Sequence, residues 1–92
     1  MKVNKAKIRC DIAAELAQKY IASGKKFDCI ACVFSMRPEA LEKAKELLAK
    51  GINLSKGNYP FAWTGLMADM FLYDAAKIVS EHYYPMQKYT RN

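Results

Sequence analysis

FDCIACVFSMRPEALEKAKELLAKGI, residues 27–52, is the stretch on which the fold turns. Its second half reads plainly. From Met36 or Arg37 to Lys50, the residues Ala40, Leu41, Ala44, Leu47 and Leu48 fall on one helical face, and Glu39, Glu42, Lys43, Lys45 and Glu46 cover the other. Ser35 reads as the N-cap, with Pro38 in the first turn, where no backbone N–H is needed. Gly51 followed by Ile52 predicts a Schellman ending with Ile52 against Leu47. The first half, FDCIACVF, is an apolar run that periodicity alone assigns to neither class. Phe27, Ile30, Ala31 and Phe34 share a helical face, yet the run is also short enough for a buried strand.

A strand needs a partner, and one stretch offers it. Lys5-Ala6-Lys7-Ile8-Arg9-Cys10 alternates polar and apolar residues, and in that reading Asp11 caps a shorter helix behind it. The same region also carries Ile8, Ile12, Leu16 and Tyr20 at four-residue spacing. Ala13, Ala17 and Ile21 widen that stripe, and Gly24 stops it. The helical signal is the longer one, running from about Asn4 or Asp11 to Ser23. The expected fold class is therefore all-α, a compact bundle of three to four helices. The alternative is a small α+β domain with strands near 5–10 and 27–34.

Beyond Gly51, NLSKGNYP (53–60) is a loop by composition. A long helix then runs from about Phe61 to Tyr84. Phe61, Met67, Ala68, Phe71, Leu72, Ala75, Ile78, Val79 and His82 form a broad core face, and Leu66, Met70 and Tyr73 are left over. So apolar a helix belongs at the centre of the bundle; the alternative is that its surplus face is a docking surface or a homodimer seam. Pro85 ends it, and 85–92 is a short basic tail.

The chain reads as one domain over residues 1–92, large enough to bury roughly 60–65% of its unfolded surface. A hydrophobic content of 52% argues against disorder. No apolar run is long enough to span a bilayer, and no apolar segment follows the N-terminal lysines as a secretory signal would require. Three cysteines, an odd number, fit reduced thiols in a cytoplasmic protein.

The charge is uneven. Residues 1–26 hold seven cations (Lys2, Lys5, Lys7, Arg9, Lys19, Lys25 and Lys26) against Asp11 and Glu15, which accounts for most of a net charge of +6. A pI near 9.3 with such asymmetry points to an anionic partner. Lys2, Lys5, Lys7, Arg9, Lys25 and Lys26 are the candidate contacts with nucleic acid or an acidic protein surface. Lysine predominates, and lysine meets phosphate as a point charge without the fork that reads a base edge. Tyr59, Trp63, Met70, Tyr84, Lys88, Tyr89 and Arg91 are the candidate docking residues, since aromatics among cations stack on bases or anchor interfaces.

Catalytic signals are weak. Cys29-x-x-Cys32 has the spacing of a zinc or redox pair, but its neighbours Ile30, Ala31, Val33 and Phe34 are apolar, and buried cysteine is a small hydrophobe. A zinc-stabilised domain would have to recruit Cys10 and His82. His82 falls on the core face, and Asp74 reads as a solvated partner of Lys77. With no phosphate loop and no nucleophile elbow, neither enzyme activity nor a cofactor is expected.

These features lead to a non-enzymatic protein that docks through its basic N-terminal residues on nucleic acid or a nucleoprotein complex. In type, it is similar to small basic accessory proteins of phages and mobile elements that inhibit a host nucleic-acid machine. A self-associating helical module and a zinc-stabilised domain are the alternatives.

Overall fold

Asn4 opens the first helix. Its side-chain oxygen accepts the Lys7 backbone N–H at 3.0 Å, and α1 runs Lys5–Ala22. The computed structural model describes residues 3–26 and 28–84, so Lys2, Phe27, Lys88, Tyr89, Arg91 and the 85–92 tail lie outside the described residues. Ile12, Ala13, Leu16, Ala17 and Tyr20 are buried along α1, as their spacing predicted. Gly24 closes the helix at φ 75°, donating its N–H to the Ile21 carbonyl at 3.1 Å. The strand alternative for 5–10 fails because these residues are the first turns of α1. Asp11 caps nothing; it sits inside the helix and pairs with Lys7 one turn back, at 2.9 Å.

The 27–52 stretch resolves in a way its residues did not announce. Asp28 is the N-cap, its Oδ1 accepting the N–H groups of Ile30 and Ala31 at 3.0 and 3.1 Å. From there α2 runs unbroken as Cys29–Ala49. No strand forms at 28–34, and Ser35 and Pro38 are interior residues rather than a helix start. The core-facing residues Cys32, Met36, Ala40 and Ala44 are spaced by four straight across the proline. Their burial holds the helix together, while Pro38 itself faces solvent. A second correction follows. Ile30 and Phe34, expected on a buried face, are 69% and 68% exposed, because the stripe that meets the core starts at Cys32. The C-terminus behaves as read. Gly51 takes φ 78°, its N–H reaches Leu48 O at 3.0 Å, and the Ile52 N–H reaches Leu47 O at 2.9 Å.

After the loop, a 3-10 turn at Pro60–Ala62 leads into α3, Trp63–Tyr83. Met67, Ala68, Phe71, Leu72, Ala75 and Val79 are buried on it. The expected core face was drawn too wide at both ends. Phe61 lies in the 3-10 turn, off the α-helical register, and is 88% exposed. His82, in the last turn, is exposed and meets the ring of Tyr83 edge-on.

Three α-helices and no strand are present among the described residues, so the all-α reading holds. α3 is the central element, packed on both α1 and α2. Lys19–Glu39 at 2.7 Å and Lys43–Glu15 at 3.4 Å show α1 and α2 running antiparallel. Arg9 bonded to Asp74, and the Tyr83 hydroxyl donating to Lys25 O at 3.0 Å, show α3 running with α1. One end of the bundle, the base, therefore collects the start of α1, the 52–59 loop and the start of α3. The opposite end, the apex, holds residues 23–26 and the end of α3. Many core positions are alanine (Ala13, Ala17, Ala40, Ala44, Ala68 and Ala75), which lets the helix axes approach closely.

Tyr20 ties the apex down, its hydroxyl donating to Lys26 O at 2.8 Å. Burial first, then Cys32, Tyr83 and Asp28 nearby, raise its pKa above the ordinary 10.0. The unfolded chain then ionises before the folded one, so Tyr20's contribution is complete below about pH 10 and is lost as pH climbs. Lys7 and Lys19, raised by hydrogen bonds to Asp11 and Glu39, act in the same direction from 10.5 upward. Thermal melts across the alkaline range should show a falling Tm from about pH 10, with a shallower fall in Tyr20→Phe. Identical slopes in the two proteins would remove Tyr20 from this account.

Candidate binding surface

The basic residues of the N-terminal third do not form one patch. Lys5, Lys7 and Arg9 lie at the base, and Lys25 and Lys26 lie at the apex. Between them stands the 18-residue α1, about 27 Å long at 1.5 Å per residue. Within each group, some cations already have partners. Lys7 pairs with Asp11, and Arg9 grips Asp74 through Nε at 2.5 Å and Nη2 at 3.1 Å. That fork raises the Arg9 pKa further and joins α1 to α3. Asp74 is thus taken by Arg9 across the bundle, where Lys77 was expected beside it in sequence. Lys25 reaches Ser35 Oγ at 3.4 Å. Lys5 and Lys56 form no ion pair among the described residues.

The base brings together residues that the sequence keeps far apart. A cleft of about 400 Å³ opens there, between Arg9 of α1, Leu54 to Gly57 of the loop, and Leu66 and Met70 of α3. Lys5 stands one turn before Arg9 on the same side of α1. The loop is shaped from within. Asn53 Oδ1 accepts the Ser55 N–H at 2.9 Å and the Ser55 hydroxyl at 2.8 Å. Trp63 donates its indole N–H to Gly57 O at 3.0 Å, fixing the loop to the start of α3. Tyr59 is 65% exposed, and its ring lies 5.9 Å from that of Phe61.

From this cleft the outer face of α3 continues as Leu66, Met70 and Tyr73, of which Leu66 is 39% and Tyr73 70% exposed. Asp69 and Asp74 flank the stripe. Arg37 of α2 holds the first at 3.3 Å, and Arg9 of α1 holds the second. Arginines from both neighbouring helices therefore bracket this face.

Among the candidate docking residues, Tyr59, Trp63 and Met70 share the base with Lys5 and Arg9. Tyr84 stands at the apex, 45% exposed. Cys32 is fully buried. Cys10, in the second turn of α1, and His82, in the last turn of α3, lie at opposite ends of the bundle. No group of three His, Cys, Asp or Glu side chains suited to a metal ion occurs among the described residues. None of the described helices is long and apolar enough to cross a membrane.

Sequence reasoning passed over Lys56 and Leu54 at the base and assigned Phe61 to the core face. The one available signal was the loop itself, with a lysine and a glycine just ahead of an aromatic cluster. Comparison with protein-family models, curated proteins and solved structures finds no match to this chain.

Proposed function

We propose that this chain is a non-enzymatic binding protein whose base end docks on a polyanionic partner, nucleic acid or a nucleoprotein complex. The observation that carries the reading is the gathering of Lys5, Arg9, Lys56, Tyr59 and an apolar cleft at one end of the bundle. Lysines without ion-pair partners draw the polyanion in, and the exposed aromatic and apolar residues hold it. A protein built this way acts by occupying a surface, as an inhibitor of a nucleic-acid machine does.

Titrating a labelled DNA or RNA strand across a salt series tests the proposal. Log affinity should fall with log salt, by about 0.7–0.9 per phosphate neutralised. Lys5→Glu with Lys56→Glu should weaken binding roughly tenfold or more. Lys25→Glu with Lys26→Glu should change it far less. A flat salt response, or equal effects of the two pairs, would overturn the assignment to the base.

A further inference from the structure

We infer that the base cleft receives an aliphatic side chain from an acidic amphipathic helix of a partner protein. This rests on the reading of the base as an anion-steering end, and it names a protein segment as what that end seats.

The cleft's own chemistry selects the occupant. Several of its polar groups are already engaged: Arg9 on Asp74, the Ser55 N–H and hydroxyl on Asn53, and Gly57 O by Trp63. The rest of the lining is mainly apolar, with Leu54, Leu66 and Met70 beside the Lys56 ammonium. A base edge or sugar would lose its water there for few partners. An aliphatic side chain loses nothing, and a flexible methionine adapts to its shape.

The loop packs closely on this part of α3. A Cβ on Gly57 would come within 2.7 Å of Leu66 Cδ1, so a side chain there would have to displace the end of Leu66.

Charge sets the flanks. Asp74 is neutralised by Arg9, while Lys5 and Lys56 have no ion-pair partners among the described residues. Carboxylates one turn to either side of the inserted residue meet these two cations. A second copy of this chain suits the site poorly. It carries +6, and Asp11, Glu15, Glu39, Glu42, Asp69 and Asp74 are already paired, which leaves Glu46 and Glu81, besides the N-cap Asp28, as exposed carboxylates outside any ion pair among the described residues.

The test uses a synthetic amphipathic peptide with Glu flanks and one central Leu, and a twin with Ser in its place. The readout is the fluorescence of Trp63, the single tryptophan, together with peptide anisotropy. The Leu peptide should bind about tenfold or more tightly than its twin. Gly57→Ala, which crowds Leu66 at the edge of the cleft, should remove most of that advantage while leaving the salt dependence intact. Leu66→Ser is the second variant, should Gly57→Ala disturb folding, and far-ultraviolet dichroism checks both.

Equal binding of the twins overturns the inference; if their salt dependence persists, the anion-steering reading stands. Salt-independent binding indifferent to Lys5→Glu overturns both. A concentration-dependent dimer abolished by Gly57→Ala would make a second copy the occupant and would also overturn it. The same follows if a nucleic-acid strand binds with the Gly57→Ala sensitivity and the peptide does not.

Discussion

Phe71→Ala should cost about 3–5 kcal/mol, a large share of the stability of so small a domain. At roughly 0.05–0.15 kcal/mol per residue, a chain of this size holds on the order of 5–14 kcal/mol in all. Phe71 is fully buried on α3, the helix packed on both others. Among the described residues, the other large side chains buried to this degree are Leu16, Met67, Val79 and Cys32. Much of the remaining core is alanine, and alanine has no rotamer with which to fill a hole. The vacated space therefore stays open, and the cost falls at the upper end of the usual range. Each kcal/mol lowers Tm by about 4–8 °C in a domain of this length. Tyr73→Ala, two residues along the same helix but 70% exposed, should shift stability by about 0.5 kcal/mol or less. Chemical denaturation of both variants decides the matter. A Phe71→Ala loss near that of Tyr73→Ala would mean the core collapses freely, and the account of its alanine packing would be wrong.

The reasons some of this was legible in the sequence, and some not, are physical. The core faces of α1 and α3 are periodic over several turns, and burial of a periodic stripe is a local instruction. The glycine stops at Gly24 and Gly51 are local too, since each requires only a positive φ at the helix end. The cleft is different. Arg9 and Asp74 are 65 residues apart, and nothing in either neighbourhood encodes their pairing. The convergence of Lys5 with Lys56 and Met70 depends on α3 running with α1, which is a property of the whole topology. The same topology divides the N-terminal charge. Cations that look like one patch on paper are, among the described residues, separated by the length of a helix, and Arg9 and Lys19 are neutralised by partners from other elements. A charge count survives folding, whereas a charge patch has to be read from the structure.

Pro38→Ala should stabilise the protein, by about 2 kcal/mol. Proline in a helix interior costs about 3 kcal/mol against alanine, through the lost N–H and the clash of its ring with the carbonyl four residues back. Against this, alanine returns about 0.4–1 kcal/mol of freedom to the unfolded chain. Pro38 lies well inside the 21-residue α2 and faces solvent, so the new side chain displaces nothing in the core. The carbonyl that lacks its partner belongs to Phe34, itself 68% exposed, and alanine restores the bond. The proline's position is also why α2 read as two elements. Local rules end a helix before proline, but burial of Cys32, Met36, Ala40 and Ala44 outweighs the penalty at one exposed position. Pro38→Gly should recover less, because glycine gives back roughly 1 kcal/mol of helix propensity. Denaturant midpoints rank the three proteins. If Pro38→Ala were destabilising, the bend imposed by the proline would be what turns both Cys32 and Ala44 toward the core. The proline would then be a determinant of how α2 packs on α3, rather than a cost that the packing overcomes.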